Sequence, residues 1–154
     1  MKASLRRWRA LSIAERFIFI QALFLLPLAS LALRFGRYQS TLATLQRITP
    51  LKERRSPADP LPEAQRAAAM VNAAAWRSLY DATCLRRSLV LWWLLRRRGI
   101  DSSVRIGVRT EAAEFYSHAW VEFEDTVIND APDIGRRFAT ILCPRSLKRN
   151  SLPS

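Results

Sequence analysis

Hydrophobic positions change their rhythm along this chain. The first long feature is an uncharged run from Phe17 to Leu33, 17 residues containing only Gln21, Ser30 and Pro27 as interruptions. Ser12 followed by Glu15 reads as a capping box just ahead of it, so the spacing predicts a helix that begins near residue 13. A second helical stretch follows from Arg34 to Thr49, with Leu42, Leu45 and Ile48 at helical spacing. Four prolines and a cluster of charges then fall between Thr49 and Gln65, a composition that cannot sustain a helix. The segment "EAQRAAAMVNAAAWRSLY" returns to helical character, with Ala69, Met70, Ala73, Trp76 and Leu79 or Tyr80 able to form one apolar face.

In "DATCLRRSLVLWWLLRRRGID" the punctuation is fuller. Asp81 or Thr83 is placed to cap a helix, Gly99 to end it, and Arg96, Arg97 and Arg98 to complement the negative end of its dipole. Trp92 and Trp93, spaced with Leu85, Leu89 and Leu95, read as core. Beyond Gly99 the period becomes two: Val104, Ile106 and Val108 share one side of a strand, and Ala119, Val121 and Phe123 share one side of the next. "VIND" and "RRFATIL" suggest two more short strands. Helices followed by a small antiparallel sheet make an α+β architecture. The expected organisation is an N-terminal helical segment over 1–49, a proline-rich linker over 50–62 and the main body over 63–154.

At 154 residues, 49% of them hydrophobic and only four of them glycine, the chain is long enough for one core and too apolar to be disordered. Its net charge of +12 attracts anionic partners without choosing among nucleic acid, acidic lipid and acidic peptide. The basic start and the apolar run have the outline of a signal or membrane anchor, yet spanning a bilayer takes about 20 apolar residues. A helix packed on the protein or a partner, a membrane contact and a cleaved signal all remain open for it. Two cysteines, Cys84 and Cys143, are too few for a disulfide framework and read as free thiols in a reducing compartment. One histidine and two distant cysteines make no metal site, and no glycine-rich phosphate loop is present, so no metal or other cofactor is expected.

The candidate chemistry lies in three residues. Cys84 falls in the first turn of its predicted helix, where unpaired amides and the positive end of the dipole stabilise a thiolate, the nucleophilic form. The same amides are placed to hold an oxyanion formed by attack on a carbonyl. His118, the only histidine, stands on the face of its strand opposite Ala119, Val121 and Phe123. "EFEDTVIND" reads as a hairpin turning around Glu124 to Thr126, which brings Asp130 back beside His118, with Asp133 as a competitor. Cys84, His118 and Asp130 would then be nucleophile, general acid and base, and orienter. The alternative is a small buried cysteine and a structural histidine.

Taken together, "CLRRSLVLWWLLRRRGI", "SHAWVEF" and "VINDAPDIGRRFATI", with the apolar helix upstream, resemble the separate peptidase half of the B proteins of lasso-peptide biosynthesis. That family has a transglutaminase-like (papain-like) cysteine protease fold. The resemblance covers most of the chain. It implies removal of the leader from a ribosomally made precursor through a thioester on Cys84, with His118 as base and Asp130 completing the triad. The implied partners are the precursor peptide with its leader, a small winged-helix leader-recognition protein in trans, and an asparagine synthetase-like cyclase that closes the macrolactam ring. The implied location is the cytoplasm, with the N-terminal helix resting on a partner or on the inner membrane and no role for nucleic acid. Fused members carry the recognition module on the same chain, and this chain departs from them in showing no strand-rich module in its first 60 residues. Two other classes compete: a noncatalytic basic adaptor that binds membrane or nucleic acid, and a transglutaminase that passes the acyl group to an amine.

Overall fold

The computed structural model describes residues 11–36, 38–49, 57–78 and 82–142. The expectations placed on Cys143, Asp81, Leu79, Tyr80 and most of the proline-rich segment lie outside these residues. Among the described residues four long helices come first: α1 (Ile13–Phe35), α2 (Tyr38–Ile48), α3 (Pro60–Ala75) and α4 (Cys84–Arg96). They are followed by β1 (Ser103–Glu111), β2 (Glu114–Phe123), β3 (Thr126–Val127), the single turn α5 (Ile134–Arg137) and β4 (Ala139–Leu142). The strands form one antiparallel sheet in the order β3-β2-β1-β4.

Local sequence explains most of the boundaries. At the start of α1 the Ser12 hydroxyl accepts from the Glu15 amide while the Glu15 carboxylate accepts from the Ser12 amide, the reciprocal capping box. The Ser12 backbone amide foremost, and the Ser12 hydroxyl after it, hold the Glu15 carboxyl below its usual range. Pro27 does not stop α1, which continues through it to Phe35. At the far end of α4 Gly99 takes a positive φ of 77° and lets the Ile100 amide reach the Leu95 carbonyl. Thr83 holds the N-cap position of α4, but its side chain makes no capping hydrogen bond. Glu124 and Asp125, with φ of 47° and 61°, form the tight turn that the hairpin pattern predicts. The β1–β2 hairpin turns instead on Ala112 and Ala113, at φ of 50° and 67°.

Tight packing unites the helices with one face of the sheet. Ala22 and Leu26 of α1, Ala67 and Val71 of α3, Leu89, Leu91 and Leu94 of α4, and Val104, Val121 and Phe123 of the sheet belong to a single buried cluster. The alanine-rich helix turns a different side inward from the one its pattern suggested. Ala64, Ala67, Ala68, Val71 and Ala74 are buried, whereas Trp76 is 85% exposed. Alanine on nearly every side leaves no contrast for periodicity to read, so the face is chosen by how closely α1 and α4 can approach the small side chains. Helix α1 also presents an uncovered side: Ile13, Phe17, Ile20, Phe24, Leu28, Leu31 and Phe35 are all exposed. By length and composition it is apolar enough to cross a membrane.

Candidate active site

Strand β2 carries two faces and one open edge. Ala119, Val121 and Phe123 point to the helices, as their alternation predicts, and His118, Trp120 and Glu122 point away. The far face has its own small cluster, in which Trp120 is fully buried with Ile134 and Phe138. Room for that indole comes from Gly107, which stands opposite His118 in the β1–β2 register. A Cβ there would lie 2.8 Å from the Phe138 Cβ and 2.9 Å from the Trp120 Cη2, so no larger residue fits without displacing a ring. The imidazole stacks on Trp120 at 6.3 Å between centroids and meets the Phe138 ring at 5.4 Å. Trp120 is fixed in turn by its indole N–H, which donates to Glu122 Oε1 at 2.7 Å, while Arg105 holds the other carboxylate oxygen at 2.7 Å.

Strand β3 pairs with β2 only at Glu122 and Phe123. One more backbone bond follows, from the Ile128 amide to the Val121 carbonyl at 3.0 Å, and beyond it side chains take over the edge of the ladder. The Val121 amide donates to the Asn129 side-chain oxygen at 2.8 Å, and the Asn129 amide group donates to Ser88 Oγ at 3.2 Å. Ser88 Oγ donates to the Ala119 carbonyl at 3.0 Å, and Asn72 of α3 donates to the Asn129 carbonyl at 3.3 Å. One residue therefore ties α3, α4 and β2 together, and the next residue in sequence is Asp130. Its carboxylate meets His118 Nε2 at 2.8 Å, with its second oxygen held by the Ala131 amide at 2.8 Å. An ionised carboxylate only accepts, so in the neutral ring the Nε2 atom bears the hydrogen and Nδ1 keeps the lone pair a base needs. Asp133 takes the N-cap position of α5.

Cys84 is the first residue of α4, a half-buried free thiol. Two anchors fix how that helix runs along β2. Ser88 is bonded at Ala119, and one turn later the Trp92 indole donates to the Ser102 carbonyl at 3.0 Å, beside Ser103, which pairs with Glu122. Helix α4 thus runs alongside β2 in the same direction. Cys84, one turn before Ser88 and on the same side of the helix, is directed toward the His118 end of the strand. The imidazole itself lies on the face of β2 away from the helices, against Trp120 and Phe138, beside the edge where Asp130 reaches it. His118 and Asp130 are joined directly, whereas no hydrogen bond joins the Cys84 thiol to the ring; the Asn129–Ser88 bond ties helix α4, not the thiol, to the loop that carries Asp130. Ser88, Asn72 and Gly107 escaped the sequence reading, because a serine inside a helix and a glycine inside a strand carry no signal until their neighbours are known. Among the described residues no cluster of His, Cys, Asp or Glu could hold a metal ion.

Over 64 residues the chain is 42% identical to the microcin J25-processing protein McjB of Escherichia coli, a stretch that is 42% of this chain and 30% of McjB. No solved structure matches. The model of the transglutaminase-like superfamily matches residues 22–143, which takes in α4, the sheet and the Asn129–Asp130 loop, and the chain belongs to that superfamily.

Proposed function

We propose that this chain is a cysteine peptidase that removes the leader from a lasso-peptide precursor before the ring is closed. The observation that carries the reading is the His118–Asp130 pair at 2.8 Å, near the end of β2 alongside which α4 begins at Cys84. The partial likeness to McjB, a protein named for processing microcin J25, supplies the substrate class. In this mechanism His118 Nδ1 takes the thiol proton and the Cys84 sulfur attacks the carbonyl at the leader's last residue. Backbone N–H groups at the start of α4 stabilise the oxyanion. As the intermediate collapses, His118 returns the proton to the departing amine, which becomes the free N-terminus of the core peptide. Water, deprotonated by the same imidazole, then hydrolyses the thioester and releases the leader as a carboxylic acid.

A small recognition protein would present the leader in trans, and an asparagine synthetase-like cyclase would use the freed amine. The test is leader release from a precursor peptide, followed by mass spectrometry, with the recognition protein present. Replacing Cys84 with alanine should slow release by roughly a thousandfold or more, as loss of a covalent nucleophile does. Release at the normal rate by a folded Cys84→Ala protein would remove the mechanism. A product in which the leader is joined to an amine instead of ending in a carboxylate would favour acyl transfer.

A further inference from the structure

The exposed side of α1 answers to a surface that is both apolar and negatively charged. Its large side chains recur at intervals of three or four residues from Ile13 to Phe35, which places them on one line along the helix. No polar side chain breaks that line. Arg16 and Arg34, about five full turns apart, border it on the same flank near its two ends. Between Met1 and Lys52 the sequence has nine basic residues and a single acidic one, Glu15, which is engaged in the capping box. The opposite side of α1 is committed: Ile18, Ala22 and Leu26 are buried against the rest of the protein. Beside the line, an apolar groove of about 210 Å³ opens between α1, α2 and α4, with Leu25, Ala29, Leu45 and Trp93 on its walls and Leu28 at its lip.

We propose that α1 is an in-plane membrane anchor, which lies along an anionic lipid surface with its exposed line in the acyl-chain boundary and its basic flank among the headgroups. A helix of this length, roughly 35 Å, could cross a bilayer only by withdrawing Ile18, Ala22 and Leu26 from the core. Lying flat satisfies both sides at once. A second copy of this chain would offer the apolar line but would set like charges against each other. A nucleic acid would satisfy the charge and leave the phenylalanines in water. Anionic lipid meets both requirements, in the way basic amphipathic helices meet membranes.

The full chain is incubated with vesicles of phosphatidylcholine, with and without phosphatidylglycerol, and sedimented. The wild type should be found with the anionic vesicles and should be released by high salt. Phe24→Ser with Leu31→Ser, both on the exposed line, should lower partitioning by roughly tenfold or more at an unchanged melting temperature. Arg16→Gln with Arg34→Gln should weaken binding to anionic vesicles only, and supplies the test if the first pair fails to fold. Leader release in the absence of vesicles should be the same for all these proteins, which separates this proposal from the peptidase reading. The proposal is overturned if the wild type stays in the supernatant, if the serine variant binds vesicles as well as the wild type, or if the line proves to hold a soluble dimer or an acidic protein with no affinity for lipid.

Discussion

The two sides of β2 are held by different physics. Toward the helices, Val121 and Phe123 sit in a broad apolar cluster held mainly by close packing, with each side chain surrounded on all sides. Toward the edge and the far face, position is set by a short chain of hydrogen bonds through Ser88, Asn129 and Asp130, and by the stack of His118 on Trp120. The first arrangement confers stability and tolerates small shifts. The second sets the distance and angle of an imidazole, with little apolar area behind it. The comparison teaches that damage to one side should register as lost stability, and damage to the other chiefly as lost activity.

Leu94→Ala, at a fully buried position, should produce the largest stability loss, about 3 kcal/mol, read in denaturant melts. If its kcat falls more steeply than the folded fraction does, the division between the two sides fails. Asn129→Ala should cost less stability, on the order of 1–3 kcal/mol for the buried groups it leaves unpaired. Its kcat should nonetheless drop well beyond that of Leu94→Ala, while KM holds. A double-mutant cycle with Ser88→Ala sharpens the point: strongly non-additive kcat effects would show that the two act as one unit, and simple additivity would argue against it.

Gly107→Ala addresses the stack, since the new methyl must push on Trp120 or Phe138. A loss of about 1–3 kcal/mol is expected, with a changed pH profile of kcat as the sign that His118 has moved with the indole. A gain is expected at the other hairpin, remote from both sides. Ala113 adopts a left-handed backbone that glycine adopts freely, so Ala113→Gly should stabilise the protein by about 1 kcal/mol without altering kcat. The smallest effect concerns the cap of α1. Because the folded-state pKa of Glu15 lies below its unfolded value, its contribution is complete at neutral pH and is lost as pH falls through the folded value. Melts of Glu15→Ala and wild type should therefore differ at pH 7 and converge in strong acid.

Much of this molecule was legible in one dimension. The capping box, the Gly99 stop, the Glu124–Asp125 turn and the alternation of His118 against Ala119 are determined by residues within a few positions of each other, through backbone conformation and side-chain period alone. From the hairpin register it followed that Asp130 returns beside His118, and the two are bonded there. What the chain could not declare were the choices that depend on neighbours remote in sequence. Which side of an alanine helix faces inward was decided by the fit of α1 and α4. That Asn129 should bridge Ser88 and the Val121 amide was decided by where β3 stops pairing. Gly107 acquired its meaning only when Trp120 was laid across it from the adjacent strand. Local order follows from covalent geometry and spacing, whereas packing and long-range hydrogen bonds exist only between surfaces that folding has already brought together.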